Sequence, residues 1–173
     1  MQAILIGFMG SGKTTVGRLL AQKLATEHAD LDDLIIQRAG QPITSIFAKH
    51  GETYFRQLEH QTLEQAMTVP GILSTGGGTP TIAVNAKLLM SSSVPVIWLA
   101  ANDQTILRRV QHDASRPLVN ELDENVLLAL KQQRNRQYAA AADLIIPTDR
   151  LTPVEIVRQI KTWLSTAQRV LQG

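Results

Sequence analysis

The residues with the clearest chemical meaning lie near the start of the chain, where residues 7–14 read GFMGSGKT. Their spacing is G-x-x-x-x-G-K-[ST], which is typical of a loop that binds phosphate groups after a buried strand. Glycines let such a loop turn its N–H groups toward the β- and γ-phosphates, and the helix that follows adds the positive end of its dipole. Lys13 would neutralise phosphate charge and Thr14 would ligate Mg²⁺. The motif therefore predicts a nucleotide and a metal together.

A glycine-rich turn without any ligand is the alternative for this segment. Against it, an apolar run at 3–6, the loop, the Lys-Thr pair and an apolar pattern of helical period at 16–24 follow in the order that a phosphate-binding loop requires. We therefore expect a strand, a phosphate loop and a helix here.

Three aspartates, Asp30, Asp32 and Asp33, lie about one helix after the loop, at the end of a short apolar run. Residues two apart in an extended or turning chain point the same way, so Asp30 and Asp32 could both face the nucleotide. One would serve the metal and the other the phosphoryl acceptor. The alternative is that Asp32 or Asp33 only caps a helix beginning near Leu34, with Asp33 as the expected pure cap.

A run of three glycines, Gly76, Gly77 and Gly78, follows another apolar run. Three glycines exceed what a helix cap needs, and they let the backbone lie directly against a small ligand with its N–H groups available. The alternative is a flexible turn before a helix that starts near Pro80, with Thr79 as its N-cap.

Several arginines are placed where they could hold anions. Arg56 precedes Glu59 by three residues, so both share a helical face where the carboxylate can orient the guanidinium toward a ligand carboxylate. Arg116 lies in a polar stretch, 112–120, whose weak periodicity indicates a mobile loop carrying one cation. Arg134 lies late in a long helical pattern. For each arginine taken alone, a solvated helix face is an equally good explanation.

Five short apolar runs alternate with segments of helical period, which predicts a three-layer α/β fold with a five-stranded parallel sheet between helices. Ligands of such sheets bind beyond the carboxyl ends of the strands, where the polar clusters fall. The predicted strands are 3–6, 29–30, 72–75, 95–99 and 144–146. The predicted helices are 14–30, 32–40, 43–68 with a break near Gly51, 80–92, 103–112, 122–142 and 153–168.

The bulk composition is that of a globular chain of one domain, with 173 residues, 44% hydrophobic and 18% charged. A net charge of +2 is too small to indicate a surface that coats nucleic acid. No apolar run reaches the length of a membrane span, and Met1 leads directly into the first predicted strand. Because the sequence has no cysteine, thiol chemistry is excluded. We expect a cytoplasmic protein without membrane or nucleic-acid partners.

Together these motifs resemble those of the shikimate kinases, and the resemblance runs from Ile4 to about Leu164. A phosphate loop alone would indicate only a superfamily, whereas the set D-x-D, F-R-x-x-E, G-G-G and R-P-L is much more specific. The residues that carry the resemblance are 7–17, 30–32, 46–47, 51–59, 75–78 and 116–118, with Arg134 and Tyr138.

The resemblance implies a nucleotide side of the site. Thr14 and Asp30 match the residues that serve Mg²⁺, and Arg109 matches one that packs near the adenine. Arg116 matches a lid arginine that approaches the transferring phosphate. The positions that match ATP-binding residues are Gly10, Ser11, Gly12, Lys13, Thr14, Thr15, Arg109 and Arg116.

The resemblance also implies an acceptor side. Asp32 matches the acid that holds the acceptor hydroxyl. With the two cations of the nucleotide side, the catalytic residues that the resemblance implies are Lys13, Asp32 and Arg116. The positions that match shikimate-binding residues are Asp32, Phe47, Phe55, Arg56, Gly76, Gly77, Gly78 and Arg134.

The implied activity is Mg²⁺-dependent transfer of the γ-phosphoryl of ATP to the 3-hydroxyl of shikimate, in aromatic amino-acid biosynthesis. The implied architecture is a single, monomeric P-loop kinase domain over 1–173, with a substrate-binding helical region at 31–60 and a mobile lid at 112–121. Two alternatives stay open. A kinase for nucleoside monophosphates or gluconate should not need F-R-x-x-E together with G-G-G, and a GTPase switch that binds a partner protein would carry N-K-x-D, which this sequence lacks.

Overall fold

The computed structural model describes residues 1–111 and 123–170, with side chains described as far as residue 166. Strands of the described chain form one sheet in which every neighbouring pair is parallel. The predicted five-stranded parallel sheet is therefore confirmed. The strands are β1 (Ala3–Ile6), β2 (His28–Asp30), β3 (Ile72–Ser74), β4 (Val96–Ala100) and β5 (Leu144–Pro147), in the order β2-β3-β1-β4-β5.

Helices connect the strands, as the alternating pattern predicts. The helices are α1 (Lys13–Lys23), α2 (Leu31–Ala39), α3 (Ile43–Met67), α4 (Ala83–Met90), α5 (Asp103–Gln111), α6 (Glu124–Ala141) and α7 (Pro153–Val170), with a 3₁₀ turn at Thr79–Thr81. No helix of 1–111 or 123–170 is long and apolar enough to cross a membrane.

Two helix boundaries show how the backbone departs from a simple period. The first helix ends at Lys23 and not near residue 30, because Ala25 takes a φ of 51° and β2 begins at His28. Inside α3 the predicted break at Gly51 is confirmed, since this residue has φ 76° and ψ 176°. Glycine tolerates that conformation, so the chain can change direction just before the turn that carries Arg56.

Two hydrophobic layers cover the sheet because alternate residues of β1 point to opposite faces. Ile4 and Ile6 pack in a cluster that includes residues of α2, α3 and α6. Ala3 and Leu5 pack in a second cluster with residues of α1 and α7. All four residues of β1 are fully buried, so the sheet is the middle of three layers.

The order of the strands brings three polar segments together at the carboxyl ends of β1, β2 and β3. In the parallel register Leu5 of β1 lies beside Ser74 of β3, and Ser74 lies beside Asp30 of β2. The segments that follow these strands are the phosphate loop, the start of α2 and the glycine run. The sheet continues from β1 to β3 on one side and to β4 on the other, so the strand order changes direction at β1. Parallel sheets form their ligand crevice at such a point, beyond the carboxyl ends of the strands.

Candidate active site

The loop between β1 and α1 has a backbone conformation that only glycine adopts readily. Gly10 and Gly12 have φ angles of 73° and 97°. Helix α1 begins directly after Gly12, so the N–H groups of its first turn are available at the loop. The Lys13 ammonium donates to the carbonyl oxygens of Gly7 (2.8 Å) and Phe8 (3.0 Å), which holds the cation across the loop. This arrangement suits an anion of high charge.

Oxygen ligands for a hard cation lie at the first turn of α1. The Thr14 hydroxyl donates to Oδ2 of Asp30 over 3.0 Å. Hydroxyl and carboxylate oxygens are the donors that Mg²⁺ prefers, and a metal that keeps several waters needs only one or two protein oxygens. The pair Thr14 and Asp30 therefore fits Mg²⁺. No group of three or more histidine, cysteine or acidic residues suited to a metal occurs in the described part of the chain.

The cap of α2 differs from the sequence expectation. The helix begins at Leu31, and its N-cap is Asp30, whose Oδ1 accepts from the N–H of Asp32 over 3.1 Å. The alternative that Asp32 or Asp33 only caps a helix beginning near Leu34 is wrong. One carboxylate oxygen of Asp30 is used by the cap and the other by Thr14, so the cap itself fixes the oxygen that faces the phosphate loop.

A histidine behind the loop supports α1. His28 Nε2 lies 2.9 Å from Ser74 Oγ, and this hydroxyl donates to the carbonyl oxygen of Lys13 over 3.2 Å. Because the hydroxyl proton goes to that carbonyl, Nε2 is the donor toward Ser74. Burial lowers the pKa of His28 below its ordinary value, with the nearby charge of Asp30 opposing the shift. Neutral imidazole thus links β2 and β3 to the start of α1.

The glycine run is pressed against the Asp32 carboxylate at its first residue. A Cβ on Gly76 would lie 2.8 Å from Asp32 Oδ1, closer than real Cβ atoms come to any neighbour. The absence of a side chain at this position is what allows the carboxylate to sit there. Asp32 therefore lies beside the glycine backbone, on the same side as the phosphate loop.

The second glycine is anchored by a buried tyrosine from α6. Tyr138 is fully buried, and its hydroxyl donates to the carbonyl oxygen of Gly77 over 2.6 Å. Burial raises the pKa of Tyr138 to about 12, and the neighbouring Arg134 partly opposes the shift. Since the Gly77 carbonyl is engaged by the phenol, the orientation of its peptide group is fixed.

The third glycine lies against the guanidinium of Arg56. A Cβ on Gly78 would be 3.2 Å from Nη1 and 3.3 Å from Nη2. Arg56 Nη1 donates to Oε2 of Glu59 over 3.0 Å, which confirms the predicted pair on one helical face, and Nε donates to Glu52 Oε1 over 3.2 Å. A guanidinium held by two carboxylates has a defined direction, which is what bidentate recognition of a ligand carboxylate requires.

Aromatic rings accompany both of the arginines expected on the acceptor side. The rings of Phe47 and Phe55 have centroids 4.6 Å apart, and the guanidinium carbon of Arg56 lies 5.1 Å from the Phe55 ring. The guanidinium of Arg134 lies 5.8 Å from the ring of Phe8, beside the phosphate loop. Arg134 is thus near the junction of the loop and the glycine run, because α6 also places Tyr138 there.

On the opposite side of the loop, Arg109 contacts backbone oxygens. Its Nη1 lies within hydrogen-bond distance of the carbonyls of Gly10 (3.2 Å) and Ser11 (3.4 Å) and of the Thr148 hydroxyl (3.3 Å), and Nη2 donates to the Thr148 carbonyl (3.4 Å). Burial lowers the pKa of Arg109 below its ordinary value. The guanidinium therefore covers the side of the loop that faces α7.

A cavity of about 520 Å³ runs along the loop. Its lining unites the expected nucleotide residues with Asp30, Asp32, Gly76 and Gly77. Phe47, Phe55, Arg56, Gly78 and Arg134 are not part of this lining, although Gly78 directly follows Gly77 of the lining and lies against Arg56. Arg116 and the expected lid at 112–121 lie outside the described residues. The expected nucleotide residues in the lining are Gly10, Ser11, Gly12, Lys13, Thr14, Thr15 and Arg109.

Several residues of the site escape sequence reasoning. Leu151, Pro153 and Ile156 line the far end of the cavity, where an apolar wall suits a flat base. They come from the start of α7 and the loop before it, and nothing in their spacing marks them. Thr79 is a second case: it does not cap a helix with its side chain but is buried, and its hydroxyl donates to Glu59 Oε1 over 2.8 Å.

A parallel sheet with a phosphate loop at its crevice, a hydroxyl-carboxylate pair for a metal and a second carboxylate beside a glycine run defines a P-loop kinase for a small acceptor. A family model described as shikimate kinase matches residues 9–165. The chain belongs to the shikimate kinase family.

Individual relatives agree with this family assignment. The chain is 43% identical to a shikimate kinase from Limosilactobacillus fermentum over 97% of this chain and 98% of the relative. It is 40% identical to one from Moorella thermoacetica, over 94% of this chain and 96% of the relative. The solved structure of shikimate kinase from Acinetobacter baumannii in complex with shikimate is similar with a TM-score of 0.86 and 32% identity, covering 96% of this chain and 93% of that one.

Proposed function

We propose that this chain transfers the γ-phosphoryl group of ATP to the 3-hydroxyl of shikimate and releases ADP and shikimate 3-phosphate. Membership of the shikimate kinase family supports this activity. The observation that carries it is the run Gly76 to Gly78, in which Asp32 Oδ1 lies 2.8 Å from the position of a Cβ on Gly76 and Arg56 Nη1 lies 3.2 Å from that of a Cβ on Gly78. This run joins a phosphate loop to an oriented carboxylate clamp, as a kinase for a small hydroxy acid requires.

On the nucleotide side, we assign ATP to the cavity along the phosphate loop. The loop backbone and Lys13 bind the β- and γ-phosphates, and the apolar wall at Leu151 and Ile156 receives the base, with Arg109 along its edge. Thr14 and Asp30 hold Mg²⁺, which when bound neutralises charge on the phosphate oxygens. Lys13 leaves its contacts with Gly7 and Phe8 to meet the triphosphate.

On the acceptor side, Asp32 accepts a hydrogen bond from the 3-hydroxyl of shikimate. This bond orients the hydroxyl oxygen toward the γ-phosphorus. Arg56 and Arg134 bind the shikimate carboxylate, and Phe47 and Phe55 lie along the ring. The glycine run supplies backbone polar groups without side-chain bulk. Two arginines at one end and one carboxylate at the other orient the acid in a single way.

The transfer step conserves atoms and charge without covalent participation by the protein. The 3-hydroxyl oxygen forms a bond to the γ-phosphorus, and the bond from that phosphorus to the β–γ bridging oxygen breaks, so the electron pair leaves with ADP. The hydroxyl proton passes to the Asp32 carboxylate. Lys13, once released from Gly7 and Phe8, stabilises the charge on the transferring group with its ammonium.

The wider setting is proposed from the family resemblance. We assign residues 1–173 to one P-loop kinase domain with its acceptor-binding helical region at 31–60, acting as a cytoplasmic monomer without nucleic-acid or membrane partners. Arg116 and a lid at 112–121 belong to the same expectation, on residues that the structure does not describe.

The proposal is tested by following ADP release with a coupled assay in the presence and absence of shikimate, with product identification by mass spectrometry. We expect ADP release to depend on shikimate and Mg²⁺ and to yield shikimate 3-phosphate. Gluconate and nucleoside monophosphates serve as competing acceptors. A higher kcat/KM for either of these than for shikimate would contradict the proposal.

A further inference from the structure

We propose that Asn85, on α4, is a positioning residue for the shikimate-carboxylate clamp and that it acts through Glu59 on Arg56. This inference rests on the proposed function. Asn85 does not belong to any of the motifs that mark the family resemblance, and it does not line the cavity along the phosphate loop. Its side chain is nevertheless fully buried, which is unusual for an amide.

The reason for its burial is the carboxylate of Glu59, which is only 1% exposed. Oε2 accepts from Arg56 Nη1 (3.0 Å) and from Asn85 Nδ2 (3.3 Å), while Oε1 accepts from the Thr79 hydroxyl (2.8 Å). A buried carboxylate is stable only when its oxygens are hydrogen-bonded and its charge is paired. Three donors from three elements meet this requirement.

The orientation of the Asn85 amide is fixed by His60, the residue after Glu59. His60 Nδ1 lies 2.8 Å from Asn85 Oδ1. An amide oxygen can only accept, so Nδ1 carries the proton and donates. This leaves the Asn85 NH₂ group directed at Glu59, which agrees with the contact observed there.

The chain of bonds controls where Arg56 points. Oε2 of Glu59 is shared between Arg56 and Asn85, so removal of the amide frees the carboxylate to rotate about its contact with Thr79. Arg56 has a second carboxylate, Glu52, which is largely exposed and lies on the solvent side. When the Glu59 carboxylate is no longer fixed, the Arg56 guanidinium can stay paired with Glu52 and move away from Gly78 and from the bound acid.

Asn85→Ala should impair shikimate binding selectively, which steady-state kinetics with purified full-length protein can measure. We expect the KM for shikimate to rise about tenfold, because misaiming a group of the site by a fraction of an ångström has effects of this order. The KM for ATP should change by less than about twofold, since Asn85 touches no nucleotide-side residue.

Leu89→Ala is the matched control, since Leu89 lies on the same helix and is 1% exposed. It lowers stability by leaving a cavity but leaves the Glu59 network unaltered. We expect it to lower the melting temperature without the rise in the KM for shikimate. A similar rise in this variant would overturn the proposal, because general loosening of α4 would then explain both.

Thr79 gives an independent test through the other oxygen of Glu59. Thr79→Val keeps the shape of the side chain and removes the donor, so it should also raise the KM for shikimate selectively. Thr79→Ser keeps the hydroxyl, so its KM for shikimate should stay near the wild-type value. This pair decides the matter if Asn85→Ala does not fold. Wild-type values in Asn85→Ala or Thr79→Val, or equal rises for both substrates, would refute the inference while leaving the proposed function intact. A wild type that does not phosphorylate shikimate would refute both.

Discussion

Replacing Gly76 by alanine should displace the Asp32 carboxylate, with a smaller adjustment at Thr79, whose Oγ1 would lie 3.3 Å from the new Cβ. The new Cβ would lie 2.8 Å from Asp32 Oδ1, and ordinary contacts begin near 3.4 Å, so the oxygen must move by about 0.6 Å. The cost to folding is small because the two crowded atoms are the ends of side chains and Gly76 does not have a positive φ. We expect the free energy of unfolding to change by less than about 1 kcal/mol.

The effect on catalysis should be much larger than the effect on stability. A misplacement of roughly 1 Å at a reacting centre can lower a rate on the order of a hundredfold. A shift of about 0.6 Å should therefore lower kcat about tenfold, equivalent to about 1.4 kcal/mol in the activation free energy. The assay is shikimate-dependent ADP release at saturating ATP and shikimate, with denaturant unfolding measured in parallel.

Gly77→Ala is the matched comparison, because it makes the same chemical change one residue away. Its Cβ would meet nothing closer than 3.5 Å, so Asp32 keeps its position. Any contact of this methyl group with shikimate would alter KM, and saturating acceptor removes that contribution from the comparison. We expect the kcat of Gly77→Ala to exceed that of Gly76→Ala about tenfold. Equal kcat values in the two variants would refute the placement of Asp32 at the reacting hydroxyl.

Three other side chains of the site, Lys13, Arg134 and Tyr138, can be tested by single substitutions. Lys13→Ala should lower kcat on the order of a hundredfold or more without loss of helical circular dichroism, because it removes a cation held at the loop. Arg134→Ala should weaken shikimate much more than ATP in calorimetric titrations, and equal losses would count against the carboxylate role. Tyr138→Phe should destabilise the fold by about 1 kcal/mol at pH 8 through loss of the bond to Gly77. Because burial raises the pKa of Tyr138 to about 12, the wild type loses stability as pH rises from about 10 through 12. The difference in free energy of unfolding between wild type and Tyr138→Phe, measured with denaturant, should therefore narrow over this range. A difference that stays constant would disprove the role of the phenol proton.

The architecture was accessible from the sequence because buried parallel strands are continuous apolar runs. The run at 3–6 is β1 without a change of boundary, and the break at Gly51 lies where the period fails. The pairing of Arg56 with Glu59 was also accessible, since a spacing of three residues on a helix brings side chains together. These are local properties, and the local sequence decides them.

Helix caps and long-range contacts were not accessible in the same way. Any of Asp30, Asp32 and Asp33 can cap a helix, and the choice of Asp30 depends on Thr14, sixteen residues earlier. The hydroxyl of Thr79 had two possible partners, the end of a helix and a distant carboxylate. Burial of Glu59 decided between them. A buried carboxylate without hydrogen-bond donors costs more free energy than a helix end without a side-chain cap.

The sequence by itself determined the chemistry that this protein can offer: a glycine-rich loop with its lysine, a hydroxyl and acids for a metal, and arginines for an anion. Only the tertiary structure decided which of these groups meet, through the parallel register that sets Leu5, Ser74 and Asp30 side by side. It also brought Asn85 and His60 into the hydrogen-bond network of Glu59, a role that neither their types nor their spacing predicts. The physical reason is that a buried polar group must find its partner wherever the fold brings one, however far away it lies in the chain.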